Sequence, residues 1–76
     1  MTLRRHSLTL DGHRTSVAIE DAFWEEIRRI AREHGCSVAR LVAQVDEART
    51  RDDPPPNLSS ALRLFVLAEI KARAAR

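Results

Sequence analysis

His13-Arg14-Thr15-Ser16-Val17-Ala18-Ile19-Glu20-Asp21-Ala22-Phe23-Trp24-Glu25-Glu26-Ile27 is the stretch on which the fold turns, because its hydrophobic period changes partway along. Ser16-Val17-Ala18-Ile19 repeats every second residue, the pattern of a half-buried strand. From Asp21 the repeat becomes helical. Phe23, Trp24, Ile27, Ile30 and Ala31 share one side, and Glu25, Glu26, Arg28, Arg29, Arg32 and Glu33 share the other. The spacing predicts a strand over 13–19 and a helix over 21–34. Glu20 and Asp21 suit the positive end of that helix, and Gly35 stands where a left-handed residue would end it.

Upstream, Ser7-Leu8-Thr9-Leu10 alternates in the same way, and Asp11-Gly12 is the favoured pair for a tight hairpin turn. A second strand over 5–10 is therefore expected. Downstream, Ser37 can cap a helix over 37–49, whose stripe is Val38, Leu41, Val42 and Val45. Residues 50–58 contain Asp52-Asp53 and three successive prolines, so they form a connection rather than a helix. A last helix is expected over 59–75, capped by Asn57 or Ser59. Its Ala61, Leu62, Leu64, Phe65, Val66, Leu67, Ala68 and Ile70 spread around most of the circumference, so it needs cover on several sides.

The chain has 76 residues, enough for one domain over 1–76. A domain this small buries only about 60% of its unfolded surface. Cys36 is the single cysteine, so no internal disulfide staples the chain, and His6, His13 and His34 lack the partners and spacing of a zinc site. A second copy is the expected remedy. No apolar run approaches the roughly 18 residues of a membrane span, and no secretory leader is recognisable. The expectation is a cytoplasmic protein with no membrane partner. The formal charge is +2, and its distribution is more telling than its sum. Arg4, Arg5 and Arg14 oppose only Asp11 at one end. Arg63, Lys71, Arg73 and Arg76 oppose only Glu69 at the other.

A strand, an amphipathic helix, a Gly-x-Ser corner at Gly35-Cys36-Ser37 and a second amphipathic helix follow one another over about residues 13 to 49. In that order and spacing the chain resembles the ribbon-helix-helix superfamily of bacterial repressors and antitoxins, the Arc-like and methionine-repressor-like proteins. It is similar to a subgroup in which a His-Arg-Thr-Ser strand follows a glycine turn and a Leu-Ser-Ser-Ala-Leu-Arg segment opens a further helix. The implied fold is mainly α with a short N-terminal β-ribbon, a ribbon-helix-helix dimer with an additional C-terminal helix. The resemblance implies that strands of two subunits pair antiparallel, with one face on the helices and the other in the major groove of double-stranded DNA.

With Thr15, Val17 and Ile19 turned inward, Arg14, Ser16 and Ala18 become the base-reading residues. Arginine suits guanine, serine pairs with several base edges, and the alanine methyl can touch thymine. The start of the second helix is the implied phosphate site, through Cys36, Ser37 and Val38 with Arg40 nearby. Arg4 and Arg5 are read as a flexible arm on phosphates or as a solvated terminus. Val17, Ile19, Trp24, Ile27, Ile30, Leu41, Val42, Val45, Leu62 and Phe65 are assigned to a dimer core, since together with Leu67 they exceed what one chain is expected to bury. Trp24 is read as a core anchor rather than a stacking platform. Cys36 is either a reactive thiolate or a small corner residue.

No nucleophile with a base in reach, carboxylate pair in an apolar setting, or glycine-rich phosphate loop is present. An enzyme is not expected, and no cofactor or metal is implied. Two functions remain open. One is a homodimeric, sequence-specific DNA-binding protein, a transcriptional repressor or autoregulator, with further copies assembling on DNA. The other is an antitoxin-like module that binds a protein partner or small effector and keeps the dimer fold without direct DNA readout. The C-terminal helix separates them, because an apolar face left open on it would mark a partner site.

Overall fold

A computed structural model describes residues 2–76. Strand β1 spans Leu3–Leu10 and β2 spans His13–Glu20, paired antiparallel as a hairpin. The helices are α1, Asp21–Glu33; α2, Val38–Arg49; and α3, Leu58–Ala74. Asp11 and Gly12 both have positive φ, 50° and 83°, as the tight hairpin turn requires. The strands start and end beyond the expected limits, because Leu3 and Arg4 lie opposite Glu20 and Ile19. Arg4 and Arg5 are thus strand residues. The flexible arm expected of them is not formed, since pairing with β2 orders that segment.

The end of α1 shows why the link to α2 is so short. Gly35 adopts a φ of 68°; its N–H donates to Arg32 O at 3.1 Å, and Cys36 N–H donates to Ala31 O at 3.0 Å. These two bonds satisfy carbonyls at the end of α1 and turn the chain. Ser37 Oγ then accepts from Arg40 N–H at 3.1 Å and caps α2. Asn57 caps α3, its side chain accepting from Ser60 N–H at 2.8 Å.

One apolar core joins all five elements. Leu10, Val17 and Ile19 come from the hairpin, Ile27, Ile30 and Ala31 from α1, Leu41, Val42 and Val45 from α2, and Ala61, Leu62 and Val66 from α3. Burial of each large aliphatic side chain contributes roughly 1.5–3 kcal/mol before the ordering entropy is subtracted. Of the residues assigned to a dimer core, all are buried within one chain except Trp24 and Phe65, which are half-buried. The premise that one copy cannot bury this set is thus corrected for most of it, because α3 folds back as the missing layer, while Leu67 stays 50% exposed.

The course of α3 is fixed by polar contacts along its length. Ser59 meets Ala18, Arg63 meets Glu20, Glu69 meets His34 and Arg73 meets Glu33. It therefore runs alongside the end of β2 and then in the same direction as α1. Trp24 closes the other flank, where the His6 ring stacks on it at a centroid distance of 3.9 Å. Among the described residues, no helix is long and apolar enough to cross a membrane.

Candidate nucleic-acid interface

Alternation gives the hairpin two unlike faces. Leu8, Leu10, Val17 and Ile19 face the helices, so their neighbours face away. Across the strands, Thr9 lies opposite Arg14, Ser7 opposite Ser16, and Arg5 opposite Ala18. Arg14 and Ser16 are exposed and Ala18 is half-buried, so the expected register holds. These three residues form one half of the outward face, and β1 supplies the other half.

The β1 half was missed in the sequence, although continuing the alternation of Ser7-Leu8-Thr9-Leu10 back by one period reaches Arg5. Arg5 Nη1 donates to Ser16 Oγ at 3.0 Å, across the hairpin. That contact holds one guanidinium over the middle of the ribbon. Arg14 lies on the opposite strand, four positions from Ala18, or about 13 Å along the strand. Among the described residues it has no hydrogen-bonded or ionic partner. The two arginines therefore stand apart on the two strands of one small polar strip.

Acidic groups at the open end of the hairpin are neutralised by neighbours. Arg63 donates to both carboxylate oxygens of Glu20, at 2.9 and 3.2 Å. This bidentate contact, with help from the Glu20 backbone N–H, holds the Glu20 carboxyl below its ordinary value. Asp21 pairs with Arg4 at 3.1 Å, both largely exposed. Arg4 belongs to the inward set of β1 and pairs there with Asp21.

The ribbon is built within a single chain. In the resembling family two subunits each contribute a strand, whereas here β1 occupies one edge of β2. With a two-residue turn between Leu10 and His13, the backbone groups of Arg14, Ser16, Ala18 and Glu20 point to the opposite edge. Ser59 Oγ donates to Ala18 O on that edge at 2.8 Å, so the first turn of α3 lies against it.

The other implied contacts fare unevenly. Cys36 N–H is committed to closing α1, where it donates to Ala31 O. At the start of α2, Arg40 N–H is taken by Ser37 Oγ, which leaves Ser37 and Val38 N–H unbonded among the described residues, beside the exposed Arg40 side chain. His6 lies on Trp24, His13 at the hairpin tip and His34 against Glu69, so the three histidines do not meet.

The description "Ribbon-helix-helix domain" belongs to a family model that matches residues 3–70. No curated protein and no solved structure matches the chain. The match runs from the first strand through most of α3, so hairpin, corner and third helix all fall inside it: the chain belongs to the ribbon-helix-helix domain family, which commonly binds DNA and acts in transcription regulation or as antitoxins.

Proposed function

We propose that this chain is a sequence-specific DNA-binding protein, a homodimeric transcriptional repressor or autoregulator, that places its β1–β2 hairpin in the major groove. The observation that carries the reading is the outward face. It has an Arg14 with no partner among the described residues, an Arg5 tethered to Ser16, and small polar side chains between them. The acids nearest its open end, Glu20 and Asp21, are turned to Arg63 and Arg4. The major groove admits a two-stranded ribbon, and a forked guanidinium pairs with guanine O6 and N7. Ribbon-helix-helix domains are typically dimeric and DNA-binding, which supports the same reading. The role is one of binding, without catalysis.

A titration against DNA from the protein's own promoter, beside a random duplex and over a range of salt, tests it. A regulator prefers its promoter by at least roughly a thousandfold at physiological salt. Equal affinities that fall steeply with salt would reduce the hairpin to a merely basic surface.

The second reading is an antitoxin-like module whose partner is another protein. Exposed Leu64, Leu67 and Ile70 on α3 favour it, since these side chains form an apolar surface that is left uncovered among the described residues.

A further inference from the structure

Arg5 and Arg14 both stand on the outward face of the hairpin, but they are held differently. Arg14 has no partner among the described residues. Arg5 Nη1 donates to Ser16 Oγ at 3.0 Å, although the residue directly opposite Arg5 is Ala18. The side chain therefore leans along the ribbon by one period of the alternation, toward the turn. Its guanidinium is anchored at Ser16, two positions and ~7 Å along β2 from Arg14.

The chemistry of that anchor is unusual for this chain. Arg4, Arg29, Arg49, Arg51, Arg63 and Arg73 each meet a carboxylate. Arg5 is held by a neutral hydroxyl instead, and has no ionic partner among the described residues. A hydroxyl fixes the direction of a guanidinium without cancelling its charge, and it engages only one of the two Nη groups. With Nη1 given to Ser16, the Nε–Nη2 side keeps two parallel donors, the fork that fits guanine O6 and N7. Arg5 and Ser16 are both exposed, so that fork can be reached. An untethered arginine gives up rotamer freedom when it meets a base, and a bond made beforehand has already taken part of that loss.

We infer that Ser16 is a positioning residue that aims Arg5 at a guanine, which makes Arg5 a base reader supplied by β1 beside Arg14 from β2. This rests on the DNA reading above and deepens it. One chain's hairpin carries both readers, each at its own base pair, and Ser16 acts through Arg5 rather than on a base edge.

The test is a profile of base preference. Each base pair of the bound promoter site is replaced in turn, and affinity is measured for the full chain and for Arg5→Ala, Ser16→Ala, Ser16→Thr and Arg14→Ala, with thermal melts to verify folding. Arg5→Ala should lose about tenfold or more of the preference for one G·C pair, and Ser16→Ala roughly three- to tenfold at that same pair. Ser16→Thr keeps a hydroxyl and should retain the parental preference. Ser16→Ala should add nothing in the Arg5→Ala background, and Arg14→Ala should act at a different pair. In the DNA-free protein, the NMR order parameter of Arg5 Nε–H should exceed that of Arg14 and fall in Ser16→Ala. A Ser16→Ala variant that loses preference at a pair Arg5→Ala leaves unchanged overturns the inference and makes Ser16 itself the reader. An Arg5→Ala variant that weakens all sequences alike overturns it in favour of a phosphate contact. An Arg5 side chain equally mobile with and without the Ser16 hydroxyl overturns the tether while the parent still discriminates. A parent chain with no preference at any pair removes the DNA reading itself, and the inference falls with it.

Discussion

The hairpin and α3 are both two-sided, yet their exposed sides are opposites. Behind Val17 and Ile19 the hairpin shows water an arginine-flanked polar strip, while behind Leu62 and Val66 α3 shows it leucines. The inner sides do the same work in one core. The outer sides match partners of different chemistry, since a polar, cationic ribbon suits a charged groove and an apolar helix face suits another apolar surface. The inner sides thus serve the fold, and the outer sides are left to differ in chemistry.

The sharpest way to break that division is Val17→Asp. A lone carboxylate in the core should cost more than about 4 kcal/mol, enough to abolish folding, whereas Ser16→Asp should leave the fold intact. Thermal melts of both variants check the register; reversed results would move every outward assignment by one residue.

A milder contrast applies along α3. Leu62→Ala should destabilise by ~2–5 kcal/mol, and Leu64→Ala by no more than about 0.5 kcal/mol in the isolated chain. Denaturant unfolding at low protein concentration separates the two, and equal costs would show that the outer side is covered after all.

Next come the arginines of the ribbon. Arg14→Ala should lose ~1–3 kcal/mol of discrimination between promoter and random DNA with no loss of melting temperature. Arg5→Ala should behave in the same way, because Arg5 shares the outward face. Arg40→Ala, by contrast, should weaken all sequences alike and lower the salt slope by about one. Parallel titrations of the three variants decide, and an Arg14→Ala protein that discriminates as well as its parent would remove direct readout by this ribbon.

The smallest expected effect is on acid stability. The Arg63 guanidinium holds Glu20, and Arg73 followed by Arg29 holds Glu33, below the ordinary carboxyl value of 4.5. Stabilisation from a lowered carboxyl is complete above that value and is lost as pH falls through the folded-state value. The melting temperature should therefore hold down to about pH 5 and drop below it, and Arg63→Met should flatten part of that drop. An unchanged acid profile in Arg63→Met would deny that this ion pair links α3 to the hairpin.

Much of this was legible before any coordinates. Alternation at Val17 and Ile19, the Asp11-Gly12 turn, Gly35 and the Ser37 cap act over a few residues, and local stereochemistry suffices to read them. Arg5 was harder, because strand or arm depends on whether Ala18, far along the sequence, accepts it as a strand partner. The side of α3 that is covered was legible only in part, through the placing of Leu62 and Phe65 in the core. Leu62, Leu64, Val66 and Leu67 differ little in hydrophobicity, and only the long-range contacts of Ser59, Arg63, Glu69 and Arg73 choose between them. The same contacts made a single chain's core look too large, since they fold α3 back over it.

The bond from Ser59 to Ala18 also bears on solubility. A two-stranded sheet is marginal alone, and an open strand edge is a template for unwanted pairing with other chains. By setting its first turn on the outer edge of β2, α3 acts as a guard rail. Cutting the chain in the proline-rich connection should therefore yield not a smaller folded domain but a hairpin with bare backbone groups and an uncovered core, prone to aggregate rather than to bind.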